Sequence, residues 1–244
     1  MAPVVWDAEL ADIYDSVYSY EAQPSVLDPM VDVLVEIAQG GRSLEFAVGT
    51  GRVALALSAR GISVCGIELS PDMASKLRAK DGSRAVPVTI GDMTCTRIAG
   101  TFDLVYLVAN AIMNLTTQDE QLAVFANAAD HLAQGGRFVV EVVVPQLRRF
   151  PPGITSRVFT NTADHVGIET LDDPVSQIAS SHHWMTVGDR VFRHSAPYRY
   201  VWPAELDLMG RLTGFDVTAR WAGWDRSAFM GGSRSQVVVF TKTK

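Results

Sequence analysis

The sequence predicts an α/β fold: a doubly wound, mostly parallel sheet with an antiparallel final strand, plus an antiparallel β insertion after the fifth strand. Three observations predict it. Between Arg42 and Val144, five short apolar runs alternate with helical patterns. The runs are nearly continuous in apolar character, as in strands of a parallel sheet covered on both faces. After Pro145 the pattern changes to longer runs joined by turn residues, the mark of antiparallel pairs.

Taken in order, Asp7 to Tyr20 is short, aromatic and acidic, and too small to bury much alone, so it is expected to fold over something. Ser25 to Ala38 sets Leu27, Met30, Val31, Leu34 and Ile37 on one helical face, and Gly40-Gly41 ends that helix. The predicted strands are Ser43–Ala47, Ile62–Ile67, Val86–Ile90, Phe102–Val108 and Arg137–Val144. Ser70 caps a helix with Pro71 at its first position. Thr117-Gln118-Asp119-Glu120 is a capping-box pattern opening a helix to about Leu132, and Gly135-Gly136 turn into the next strand. Gln177–Thr186 and Val191–Trp202 read as two strands joined at Val187-Gly188-Asp189-Arg190. Pro203 starts a helix carrying Leu206, Leu208, Met209 and Leu212, closed by Gly214. Phe215–Trp221 and Gln236–Thr241 form a final strand pair.

Composition bounds the function. A chain of 244 residues, 48% hydrophobic and 20% charged, suits one domain with a substantial core. A net charge of −6 argues against a general nucleic-acid binder, which wants a basic face. Cys65 and Cys95 are the two cysteines and have no metal-type spacing, so neither a metal site nor a structural disulfide is expected. The N-terminus lacks a basic-then-apolar signal, and no apolar run approaches the roughly 20 residues of a membrane helix. A cytoplasmic protein without membrane or nucleic-acid partners is expected.

The candidate site lies at the strand ends. The first strand runs into Glu45-Phe46-Ala47-Val48-Gly49-Thr50-Gly51-Arg52, whose small residues let the backbone turn sharply and approach a ligand at a helix N-terminus. Glu68 ends the second strand, 23 residues after Glu45, where a carboxylate accepts from both ribose hydroxyls. Gly91-Asp92-Met93 follows the third strand, where Asp92 is placed to accept from an adenine amino group. These ends define a nucleoside site. A dinucleotide enzyme is the alternative, but its first glycine and third-glycine spacing are missing here.

With those residues in place, the chain from Arg42 to Val144 resembles the class I S-adenosylmethionine (SAM)-dependent methyltransferases, whose sheet also has an antiparallel end. The resemblance implies SAM as cofactor, with S-adenosylhomocysteine as product. It implies that Glu45, Gly49 and Gly51 surround the methionine half, with Ala47 standing where the family has its first glycine. It assigns Glu68 to the ribose, Leu69 and Met73 to the flanks of the adenine, and Asp92 and Met93 to its edge. Val108 and Asn110, at the end of the fourth strand, fall where such enzymes meet the methionine part, and Asn110 also meets the substrate. Tyr14 either packs its helix or acts from a lid, its phenol reaching the SAM carboxylate. Arg52 is expected to face solvent.

Within the family, Ile13-Tyr14-Asp15, the stretch Asn110 to Asn114 with Thr116-Thr117-Gln118, and the late insertion are similar to the small-molecule tailoring branch of actinobacterial secondary metabolism, which includes aminosugar N-methyltransferases. The parts expected are N-terminal helices and lid (1–40), a SAM-binding core (42–145), a β insertion over the substrate site (146–202), and a final helix with strand pair (203–244). The function implied is methyl transfer to an oxygen or nitrogen of a small molecule. A SAM-binding scaffold or sensor without catalysis, and a methyltransferase of RNA or protein, are the alternatives. Should the acceptor be a hydroxyl, His183 is the first choice of base and His182 the second, since adjacent strand residues point to opposite faces. His131 reads as structural and His165 as a loop residue. His194 shares a strand face with Phe192, Tyr198, Tyr200 and Trp202. Trp184, Trp202, Trp221 and Trp224 suit either a pocket wall or the contact of a homodimer.

Overall fold

The computed structural model describes residues 6–243, so the first five residues of the N-terminal segment and Lys244 lie outside the described part. In chain order the elements are α1 Ala8–Val17, α2 Pro24–Ala38, β1 Ser43–Phe46, α3 Arg52–Ala59, β2 Val64–Glu68, α4 Pro71–Arg78, β3 Val88–Ile90, β4 Phe102–Leu107, α5 Gln118–His131 and β5 Leu132–Val143. There follow β6 Ser156–Asn161, β7 His165–Asp173, β8 Ile178–Val187, β9 Arg190–Arg199, α6 Pro203–Leu212, β10 Phe215–Trp221 and β11 Ser235–Lys242.

Seven strands form one sheet in the order β10-β11-β5-β4-β1-β2-β3. Strands β1 to β5 pair in parallel, while β11 runs antiparallel to both β5 and β10. Winding reverses between β1 and β4, and a crevice opens there beyond the carboxyl ends of the strands. Both faces are covered. Met30, Leu34, Val53 and Leu57 of α2 and α3 close one face, and Val124, Phe125, Leu206 and Met209 of α5 and α6 close the other. Phe125 stands edge-on to Phe138 and to Phe240, each with ring centroids 5.1 Å away, which locks α5 onto β5 and β11. The helix starts are chemically marked: Ser70 accepts from the Met73 amide at 3.2 Å, and Thr117 and Glu120 make both halves of a capping box.

The insertion departs from expectation. It is a four-stranded antiparallel sheet, β6-β7-β8-β9, rather than a lone pair. His165 therefore stands on β7 and not in a loop. β9 ends at Arg199, so Trp202 leaves the strand and precedes α6. The physical reason lies in the inner face of β6 and β7, where Arg157, Phe159, Glu169 and Leu171 mix charge with apolar bulk and blur the period of two. Helix α1 bridges the two sheets. Leu10 and Ile13 pack with Met185 and Phe192 of the insertion, while Asp12 and Asp15 pair with Lys76 and Lys80 at and just beyond α4.

One buried clamp joins the insertion to the core. Arg199, 4% exposed, donates to Gln121 Oε1 at 2.5 Å and to Glu205 Oε1 at 2.6 Å. Gln121 returns a bond to the Arg199 carbonyl at 3.2 Å, and Gln118 and Gln177 also donate to Glu205. Burial disfavours the charged carboxylate, yet the bonds from Arg199, Gln177 and Gln118 prevail and hold Glu205 below its ordinary range. Glu205→Ala leaves a buried guanidinium unpaired and is expected to cost about 3–5 kcal/mol in urea denaturation at neutral pH. Because the folded group titrates below the unfolded one, its contribution is present above about pH 4.5 and lost as pH falls through the folded pKa. A denaturation midpoint unchanged by the substitution would show the clamp to be passive.

Candidate active site

The site grows from the turn after β1. Ala47, Gly49 and Gly51 all lie in the left-handed region, with φ of 52°, 57° and 84°. For Ala47 this conformation costs roughly 1–2 kcal/mol, so the surroundings must impose it. They do so through Glu68: its Oε2 accepts from the Gly49 amide at 2.8 Å and its Oε1 from the Ser70 amide at 2.9 Å. The Thr50 hydroxyl donates to Asp15 at 2.6 Å, and Lys80 donates to the Thr50 carbonyl at 2.8 Å.

A cavity of about 310 Å³ opens over this turn. Of the residues that the resemblance assigns to the cofactor, Tyr14, Glu45, Ala47, Gly49, Glu68, Met73, Val108 and Asn110 line it. Gly51 does not: a Cβ there would fall 2.6 Å from Leu77, so this glycine permits close packing of the turn on α4. Leu69, Asp92 and Met93 also lie outside the cavity wall. Leu69 is 58% exposed beside Glu68; Asp92 Oδ1 accepts from the Thr94 amide at 2.8 Å; Met93 is buried in the core.

Charge in the cavity is lopsided. Glu45, 4% exposed, accepts from the Tyr106 hydroxyl at 3.0 Å, and burial pushes its pKa up to about 8. Burial also raises Glu68 despite its two amide partners. Arg52 corrects the expectation of solvent: it lines the cavity and meets Glu21 at 3.0 Å. Tyr14, raised by burial, stands edge-on to Trp6 at 5.8 Å and within 4.7 Å of the Tyr18 ring.

Beyond β4, Ala109 and Asn110 are both left-handed, at φ 53° and 61°. Glu141 of β5 holds them, its Oε2 accepting from the Ala109 amide at 2.9 Å and its Oε1 from the Trp224 indole at 2.7 Å. The Asn110 side chain accepts from the Val143 amide at 2.7 Å. Sequence reading missed Glu141, although a carboxylate amid Val139, Val140 and Val142 is itself a signal.

The insertion supplies the roof. His183, His194 and Tyr198 face the cavity, and His183 Nδ1 lies 2.9 Å from His165 Nε2. Burial, reinforced by His165 and His194, lowers His183 to about 4. His182 turns the other way, toward Ser195 at 2.9 Å and Thr170 at 3.3 Å. His131 is a staple, accepting from the Ile98 amide at 2.9 Å. None of Trp184, Trp202, Trp221 and Trp224 lines this cavity or the second one, of about 330 Å³, beneath the insertion.

Comparison with known proteins gives the class. The methyltransferase-domain family matches residues 44–136. The CcbJ methyltransferase of Streptomyces caelestis is 30% identical, with 88% of this chain and 89% of that one covered and a TM-score of 0.79. The cypemycin N-terminal methyltransferase of Streptomyces sp is 26% identical over 98% of each chain. The dTDP-4-amino-2,3,4,6-tetradeoxy-D-glucose N,N-dimethyltransferase of Saccharopolyspora spinosa is 30% identical over 56% of this chain and 55% of its own. The chain belongs to the SAM-dependent methyltransferases.

The residues present fit that cofactor. Glu21, Glu45 and Glu68 face the cavity against the one guanidinium of Arg52, a balance suited to a ligand that carries a sulfonium and an ammonium. A cation near Glu45 favours its ionised form, so binding is expected to expel a proton below about pH 8, with affinity rising up to about pH 8 and levelling above. Calorimetry in two buffers of different ionisation heat measures that proton, and Glu45→Gln should reduce its release, leaving only what Glu21 and Glu68 supply. Equal proton release by the two proteins would separate Glu45 from the cofactor.

Proposed function

We propose that this enzyme transfers the methyl group of SAM to a nitrogen or oxygen of a small molecule, a secondary metabolite or a sugar, in the cytoplasm and without nucleic-acid or membrane partners. One relative is named as an N,N-dimethyltransferase and another as an N-terminal methyltransferase, and a chain's N-terminus offers an amine, which favours nitrogen here. The observation that carries the reading is the seam between the two cavities: Asn110, Met113, Ser181, His183 and Tyr198 line both. A donor held over the turn after β1 and an acceptor held beneath the insertion meet at that seam.

Bound there, SAM supplies a methyl group already activated by its sulfonium, transferred by in-line displacement. What remains for the chain is alignment and exclusion of water. Glu68 would hold the ribose, with Leu69 and Asp92 continuing along the sheet edge toward the adenine and Met93 backing them from the core. Tyr14 and Arg52, which line the cavity, would meet the methionine carboxylate, and the turn from Ala47 to Gly51 would shape the space beside it. A nitrogen acceptor need only arrive neutral; a hydroxyl is helped by a base. His183 sits at the seam and is unprotonated at neutral pH, so it can take a proton, although at about 4 it is a weaker base than an ordinary imidazole and the setting suits a neutral amine better.

Incubation with labelled SAM and an extract of the source organism is expected to yield a labelled small product; label found only in RNA or protein would overturn the reading. Should that acceptor prove to be a hydroxyl, His183→Ala should lower turnover by roughly 10²–10⁴ while leaving SAM affinity intact, and His182→Ala should do far less. Near-normal turnover of a hydroxyl acceptor in both variants would remove His183 as its base; a neutral amine needs no side-chain base.

A further inference from the structure

The second cavity differs from the first in the sign of its charge. Its walls are largely apolar, from Leu147, Phe150, Phe159, Leu171 and Tyr200. Arg149, Arg157 and Arg234 line it against the one carboxylate of Glu169, with Arg157 half-buried and Arg149 and Arg234 exposed at the rim. Glu169 is already committed: it pairs with Arg157 at 2.5 Å and accepts from the Tyr198 hydroxyl. Among the described residues, Arg149 and Arg234 pair with no carboxylate. Their backbones are held near each other in the chain's connections, since the Arg234 carbonyl accepts from the Val144 amide at 2.8 Å and the Arg149 amide donates to the carbonyl of Gln146, two residues beyond Val144, at 2.9 Å. On a chain of net charge −6, two unpaired cations at one apolar chamber form a local inversion of the protein's field.

We propose that this chamber binds an acceptor with an apolar body and an anionic group, the anion held by Arg149 and Arg234 and the reacting atom directed to the seam at His183. The inference rests on the methyltransferase reading and adds the chemical class of the acceptor. Guanidinium forks match carboxylate and phosphate alike, so the shared chemistry is an oxyanion. The apolar walls take the body of the molecule and the two cations set its direction, the usual division of labour in a small-molecule pocket.

The test uses whole protein saturated with S-adenosylhomocysteine and titrated with phenyl phosphate, phenylacetate and benzyl alcohol. At least one anionic probe is expected to bind about tenfold or more tightly than benzyl alcohol, and the two anions distinguish phosphate from carboxylate. Arg149→Ala with Arg234→Ala should abolish that preference while leaving affinity for S-adenosylhomocysteine unchanged. Benzyl alcohol binding as well as both anions, no probe binding at all, or a preference that survives the double substitution would each overturn the proposal. Failure of S-adenosylhomocysteine itself to bind would instead strike the underlying methyltransferase reading, so the two failures are distinguishable.

Discussion

Two backbone amides, those of Gly49 and Ser70, converge on the buried carboxylate of Glu68, and the cofactor edge of the sheet is organised around that charge. A carboxylate so placed would be expensive if left bare. Its partners are the turn after β1 and the start of α4, so satisfying the charge also fixes both. The left-handed Ala47, the close approach of Gly51 to Leu77, and the donation of Lys80 to Thr50 follow from holding that turn in one shape. Glu141 repeats the arrangement after β4, where one carboxylate braces another left-handed pair. In both places a side chain from a neighbouring strand constrains backbone that its own residues would not choose, and the two braced turns face each other across the point where winding reverses.

The division of charge follows the division of the fold. The sheet edge with its N-terminal cover presents carboxyls; the insertion and the loop before β11 present guanidiniums. Apolar walls keep local dielectric low, so each set acts at short range more strongly than it would in open water.

Much of this was legible in the residues. The parallel core is visible because both faces of its strands are buried and the runs stay apolar; the helix starts are visible because Ser70, Thr117 and Glu120 use short-range chemistry. What escaped has a common cause. β6 and β7 turn toward a chamber a mixture of Arg157, Phe159, Glu169 and Leu171, a face shaped for a ligand rather than for a core, so no apolar period announces the strands. Arg52 looked solvent-bound because its partner, Glu21, lies on a distant stretch before α2. Gly51 was assigned to the cofactor although its conformation serves helix packing, a distinction that a glycine in a motif does not reveal by itself.

The Arg199 clamp sets the limits of what can be exchanged. The acceptor chamber draws most of its walls from the insertion, while the donor chamber rests chiefly on the core and the N-terminal helix, which makes the insertion a natural cassette for changing one chemistry without the other. Its electrostatic boundary, however, does not coincide with its chain boundary. Arg199 travels with the cassette, but Gln118, Gln121 and Glu205, which neutralise and orient it, belong to α5 and α6. A recombinant joined only at the chain ends would therefore carry an unmatched cation into the hydrophobic interior, so the heritable unit of acceptor specificity includes three residues that never touch the acceptor.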